Sequence, residues 1–130
     1  DWSSDVCSSD LAVIDPTKKV LKQKISFDIP GMSKEAIQPI GISITRDGKR
    51  AFVALGRANH VAFVDVASRR TTDLVLVGKR AWNVTLDKAE SRLVVVNGLS
   101  DDITLVDVAV AKAIKSIPVG RVPYGAVIVE

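Results

Sequence analysis

The chain has 130 residues, 18 of them Lys or Arg and 15 Asp or Glu, for a net charge of +3, and it contains a single cysteine. One thiol makes no internal disulfide, the cations are scattered through turns and strand ends rather than gathered into a nucleic-acid stripe, and no apolar run reaches the roughly 18 residues of a membrane span. A disulfide scaffold, a nucleic-acid surface and a helical membrane anchor are set aside on these grounds.

In chain order, the opening run from Asp1 to Leu11 has neither the period of a strand nor that of a helix, and it holds four serines, three aspartates and Cys7. It reads like the translation of a sequencing adapter, so residues 1-11 are expected to be a non-native segment, with the fold beginning at Ala12. Without that run the acidic count falls to 12, the net charge rises to +6 and no cysteine remains. Ala12 to Asp15 then predicts a strand, Val20 to Ile29 a second, and Pro30 to Glu35 a surface loop.

Four β-rich runs follow, Ile40–Ile44, Ala51–Leu55, Val61–Val66 and Thr72–Val77, and then four more, Trp82–Leu86, Leu93–Asn97, Ile103–Val108 and Ala113–Val119. Broken by turn pairs such as Asp47-Gly48 and Asn97-Gly98, they predict antiparallel strands joined by tight hairpins. Where the first set has Arg46-Asp47-Gly48 the second has Lys88-Ala89-Glu90, without the glycine that tolerates positive φ, so that turn is expected to be looser. Tyr124 to Val129 predicts one last strand.

The two sets are copies of one unit. At a shift of 42, Pro39 to Arg80 aligns with Ala81 to Val122 without a gap: Arg50 meets Arg92, Val53 meets Val95, Gly56 meets Gly98, Val64-Asp65-Val66-Ala67 meets Val106-Asp107-Val108-Ala109, and Val77-Gly78 meets Val119-Gly120. Four antiparallel strands in a unit of about 40 to 45 residues predict a β-propeller blade. An all-β architecture is therefore expected, divided into the end of one blade with its following loop (12-38), two full blades (39-80 and 81-122) and the first strand of another (123-130). A closed propeller needs at least four blades, so this incomplete one is expected to expose sheet faces that neighbouring blades would cover.

Pro39-Ile40-Gly41-Ile42, the run from Asp47 to Val53 and Val64-Asp65-Val66-Ala67 resemble the YVTN repeat of β-propeller proteins. More particularly, the runs from Phe27 to Gly31, Ile37 to Gly41, Ala51 to Gly56, Val77 to Trp82, Val96 to Ser100 and Val119 to Gly125 resemble, in that order, the C-terminal third of the propellers associated with catabolism dependent on pyrroloquinoline quinone (PQQ). Tyr124 stands where that family tends to have Trp. The resemblance implies an exported, periplasmic, non-catalytic partner of quinoprotein dehydrogenases and their cytochromes c, with no cofactor of its own.

Residues that carry chemistry are sparse. Asp65 and Asp107 end the third strand of each unit, where a carboxylate accepts hydrogen bonds from turn amides, and a residue that recurs in every unit marks architecture. His60, the one histidine, lacks the companions a metal site needs and reads as a turn residue. No catalytic set and no metal site are indicated. The candidates for binding a ligand or partner lie on the connections from the last strand of one unit to the first of the next: Lys79, Arg80 and Trp82 at one, Arg121 and Tyr124 at the following one. Arg57 to His60 and Ser100 to Asp102 are expected at the same end. Arginine and aromatic residues there fit an interface, while Trp82 and Tyr124 also suit packing between units. Two other functions stay open: a metal-dependent, lactonase-like enzyme using Asn83 and Asp87, and a structural surface protein.

Overall fold

A computed structural model of the chain describes residues 9–130. Ten strands run β1 (Asp10–Asp15), β2 (Val20–Ser26), β3 (Ile42–Ile44), β4 (Arg50–Ala54), β5 (His60–Asp65), β6 (Arg70–Leu76), β7 (Ala81–Leu86), β8 (Arg92–Asn97), β9 (Asp102–Asp107) and β10 (Lys112–Pro118), with one short 3-10 turn at Lys34–Ala36. They form three antiparallel sheets of two, four and four strands, each ordered as the chain runs: β1-β2, β3-β4-β5-β6 and β7-β8-β9-β10. No helix among the described residues is long and apolar enough to cross a membrane.

The repeat in sequence is a repeat in register. Phe52 faces Phe63 and Val53 faces Ala62 in one four-stranded sheet, and Val94 faces Leu105 and Val95 faces Thr104 in the other, each pair displaced by the same 42 positions. Because side chains alternate along a strand, each four-stranded sheet has two apolar faces. Phe52, Val61, Phe63 and Val75 meet Val84, Leu93, Val95 and Val106 from the next sheet, while the opposite face, with Ala51, Val53, Leu55, Ala62 and Val64, buries Ile25, Phe27 and Ile37. Phe52 and Phe63 sit edge to face, their ring centroids 4.7 Å apart.

The turns between third and fourth strands repeat three times. Asp15 Oδ1 accepts the amides of Thr17 and Lys18 at 2.9 and 3.0 Å, Asp65 Oδ2 those of the Ser68 amide and hydroxyl at 2.9 and 2.7 Å, and Asp107 Oδ1 those of Ala109 and Val110 at 3.0 and 3.3 Å. Each turn then passes through a left-handed residue, Lys19, Arg69 or Ala111. The structural role read for Asp65 and Asp107 is the one the fold gives them.

Four expectations are corrected. The first strand begins at Asp10, where Asp10 pairs with Ser26 and Leu11 with Ile25, because backbone pairing extends a ladder whatever the side-chain pattern; Asp1 to Ser8 lie outside the described residues. The fourth strand there closes at Ser26, short of Ile29. The Lys88-Ala89-Glu90 turn is not loosened: Glu90 adopts φ 57° where Gly48 has φ 69°, and both close the same bond, Gly48 N–H to Thr45 O at 2.9 Å and Glu90 N–H to Asp87 O at 3.0 Å. Asp87 holds it, accepting from the Ser91 amide at 2.8 Å, the Ser91 hydroxyl at 2.9 Å and the Arg92 amide at 3.0 Å. Finally, Tyr124 to Val129 forms no strand. The segment runs beside β7, with the Thr85 hydroxyl donating to Ala126 O at 3.1 Å.

Candidate functional site

At one end of the stacked sheets four connections converge: those after β4 and β8, and those after β6 and β10. Asn59 and Asp101, 42 positions apart and both left-handed (φ 59° and 56°), organise them. Asn59 O accepts the Val77 amide and Asp101 O the Val119 amide, each at 2.9 Å, while their side-chain oxygens take the amides of Arg80 and Val122, each at 2.8 Å. Arg80 and Val122 are themselves left-handed, at φ 58° and 50°. Asparagine and aspartate tolerate this conformation better than other side chains. Their recurrence at equivalent positions was a signal in the sequence, and reading those loops only as neighbours missed it.

The Lys79-Arg80 loop is fixed from below as well. Its backbone receives the Leu99 amide on Lys79 O at 3.1 Å and the Gly98 amide on Arg80 O at 3.0 Å, and the Lys79 amide donates to Ser100 Oγ at 3.0 Å. Ser100 belongs to a buried polar cluster in which Asn97 Nδ2 donates to Asp102 Oδ1 at 2.8 Å and Thr104 Oγ1 at 2.9 Å, and Ser100 Oγ donates to Asp102 Oδ1 at 2.7 Å. A Cβ on Gly78 would lie 2.5 Å from Asn97 Cγ and 2.6 Å from Ser100 Oγ, so only glycine lets the loop close over the cluster.

Above it Arg80, Trp82 and Tyr124 come together. The Arg80 guanidinium lies 5.1 Å from the centroid of the Trp82 ring, a distance at which a cation is attracted to the ring face. The Trp82 and Tyr124 centroids are 5.6 Å apart with the rings tilted by 50°. Trp82 is half-buried, whereas Tyr124 is 73% exposed. With Gly98, Leu99, Val122 and Pro123 these three side chains line an open groove of about 290 Å³. Arg80 Nε is buried and has no hydrogen-bond partner among the described residues.

Of the five sequence-predicted binding residues, the groove therefore takes in Arg80, Trp82 and Tyr124. Lys79 and Arg121 are exposed on the same two loops but do not line it. His60 opens β5 instead of standing at a loop tip, and its Nδ1 donates to Ala58 O at 2.6 Å. Asn83 and Asp87, the residues named for a metal-dependent reading, are separated in role. Asp87 is committed to its turn, where the bond from the Arg92 amide and those from Ser91 hold its carboxyl below the ordinary aspartate range. Asn83 lies where β3 and β7 approach most closely: a Cβ on Gly41 would be 2.7 Å from Trp82 O and 2.8 Å from Asn83 Cα.

No protein-family model matches the chain, and no curated protein matches it significantly. Among solved structures it is similar to Kuenenia stuttgartiensis hydrazine synthase, with a TM-score of 0.75 and 16% identity over 90% of this chain and 31% of that one. It is also similar to a functionally unknown protein from Desulfotomaculum acetoxidans, with a TM-score of 0.68 and 14% identity over 88% of this chain and 36% of that one. The chain thus spans about a third of the length of these structures, and likeness at this identity defines a shared fold of stacked antiparallel sheets.

Proposed function

We propose that the chain is part of a β-propeller, its two four-stranded sheets being successive blades, and that it works as a non-catalytic binding module. The resemblance of its motifs to the propellers of PQQ-dependent catabolism supports placing it in the periplasm as an accessory to alcohol oxidation, with a quinoprotein dehydrogenase or a cytochrome c as its partner. The observation that carries a binding role is the arrangement of Arg80 and Tyr124, on loops locked to the sheets by paired backbone bonds, around Trp82 at the start of β7. Binding residues on loops held by a rigid scaffold keep their geometry at little entropic cost. Lys79 and Arg121 stand on the same loops and add positive charge around the groove, which favours an acidic partner and steers its approach.

The test is made in the complete protein with a purified periplasmic quinoprotein dehydrogenase or cytochrome c. Replacing Arg80 and Arg121 together by alanine is expected to slow association about tenfold and to flatten its salt dependence, because exposed charges act over roughly 8 to 10 Å at physiological ionic strength. Association unchanged in the double mutant and across salt would remove the rim as the binding surface.

A further inference from the structure

Resting on that reading, we propose that the groove takes an acidic peptide segment of the partner, in which one aromatic side chain is flanked by carboxylates. Three observations point to this chemistry. The walls are apolar and open to solvent: Leu99 is 61% and Val122 65% exposed, beside the 73% exposed ring of Tyr124. An aromatic side chain laid against these walls and the edge of Trp82 buries surface that the free chain leaves in water.

The second observation is a positioned cation. The Arg80 guanidinium is charged and held over the Trp82 ring, with its Nε buried beneath. A carboxylate is the acceptor that matches the planar guanidinium, and the terminal nitrogens are where one from outside binds. Of the acids on these loops, Asp101 Oδ1 takes the Val122 amide at 2.8 Å, and Asp102 Oδ1 takes Asn97 and Ser100 at 2.8 and 2.7 Å. Among the described residues no salt bridge joins Arg80 to a carboxylate, and the proposed segment supplies one.

The third is size. At about 290 Å³ the groove lies at the lower bound of the roughly 300 to 1,000 Å³ that enclose a small-molecule ligand, and it is open along one side. It accommodates one side chain and its neighbouring backbone, as a peptide passing across the loops would present.

The probe is an acetylated, amidated peptide Glu-Glu-Phe-Glu-Glu, titrated against the full chain carrying Trp2→Phe so that Trp82 is the one tryptophan, excited selectively over Tyr124. Saturable change in Trp82 emission is expected, lost by at least about tenfold in Arg80→Ala and partly kept in Arg80→Lys, which retains charge but not the fork. Glu-Glu-Gly-Glu-Glu and Lys-Lys-Phe-Lys-Lys are each expected to bind at least about tenfold more weakly, since one lacks the ring and the other the carboxylates. A circular dichroism spectrum shared by both Arg80 variants and the parent shows that the sheets persist. Equal binding of the three peptides, binding of benzoate as tight as that of the acidic peptide, or retention of affinity in Arg80→Ala overturns the proposal. Should the acidic peptide fail while the arginine-dependent, salt-sensitive association of the complete protein holds, the rim remains a binding surface and the peptide is the part that is wrong.

Discussion

Sheet β3-β4-β5-β6 and sheet β7-β8-β9-β10 share one backbone register and fill it with opposite chemistry. In the first, Leu55, Ala58, His60, Ala62 and Leu74 occupy one end of the sheet, with Leu55, Ala58 and Ala62 fully buried in an apolar layer. Forty-two positions on stand Asn97, Ser100, Asp102, Thr104 and Ser116, joined by hydrogen bonds of 2.7 to 3.1 Å, with Asn97 at 0% and Thr104 at 1% exposure. The backbone pairing is indifferent to the exchange because the ladder joins main-chain groups, whatever side chains the strands carry. The side chains decide something else. The polar set reaches up to the Lys79 amide through Ser100 and so ties the binding loop to the sheet. Shape is repeated, and function is placed by breaking the repeat.

The sharpest test of that contrast lies on the opposite face. Phe52 is fully buried against Phe63, whereas the equivalent Val94 and Leu105 lie on a face that no further sheet covers. Phe52→Ala is expected to cost about 3 to 5 kcal/mol, the range for removing a buried aromatic ring. Val94→Ala is expected to cost about 1 to 2 kcal/mol, from the methyl groups lost. Urea unfolding followed by circular dichroism measures both, and equal costs would mean that the Phe52 ring, edge to face with Phe63, is packed no better than Val94.

Next in size is the polar cluster itself. Asn97→Leu, the residue of the other sheet, removes the amide donor that Asp102 and Thr104 share, leaving them only Ser100 and Ser116, and is expected to cost about 1 to 3 kcal/mol. Replacing all five positions by the apolar set of the first sheet (Asn97→Leu, Ser100→Ala, Asp102→His, Thr104→Ala and Ser116→Leu) is expected to cost less than the single change, because residues in one network do not add. It should also loosen the Lys79-Arg80 loop, read as faster amide hydrogen exchange at Lys79, whose partner Ser100 Oγ is gone. A quintuple variant less stable than Asn97→Leu would show the polar cluster to be more than an interchangeable filling.

What the sequence disclosed follows the same division. The strands and their register were legible, because β-branched runs and a gapless shift of 42 are properties of the chain itself. Arg80, Trp82 and Tyr124 were legible as loop residues bordering one end, because the repeat fixed where the connections fall. The polar cluster was not, since Asn97 and Thr104 look like ordinary strand residues until the layer between sheets is assembled. Nor was the absence of a strand at Tyr124 to Val129: an apolar alternation records which face a segment would bury, and says nothing of whether its backbone pairs. The Glu90 turn misled for a further reason, that a glycine supplies conformational freedom but a bonded carboxylate at Asp87 supplies the closure instead.

That turn carries the smallest and most specific prediction. In the first sheet the Arg50 amide donates to Thr45 Oγ1 at 3.1 Å, and in the second the equivalent Arg92 amide donates to Asp87 Oδ1 at 3.0 Å, so one bond has a neutral acceptor in one copy and an ionised one in the other. The bond to the Arg92 amide, with those to Ser91, lowers the Asp87 pKa in the folded chain. A carboxyl whose folded pKa lies below its unfolded value stabilises the fold above the unfolded value, about 3.9, and loses that contribution as pH falls through the folded one. Asp87→Thr restores the acceptor of the first sheet without a titrating group. It is expected to lower the urea midpoint slightly at pH 7, where the ionised carboxylate contributes, to converge on the parent chain at pH 2, and so to reduce the drop in midpoint between pH 5 and pH 2. The remaining acid sensitivity comes from Asp47 and Asp65, whose pKa values are also lowered, by the Thr45 hydroxyl and by Ser68 respectively, and which the substitution leaves in place. An acid limb identical to that of the parent chain would mean that the charge on Asp87 contributes nothing beyond the hydrogen bond a threonine can accept.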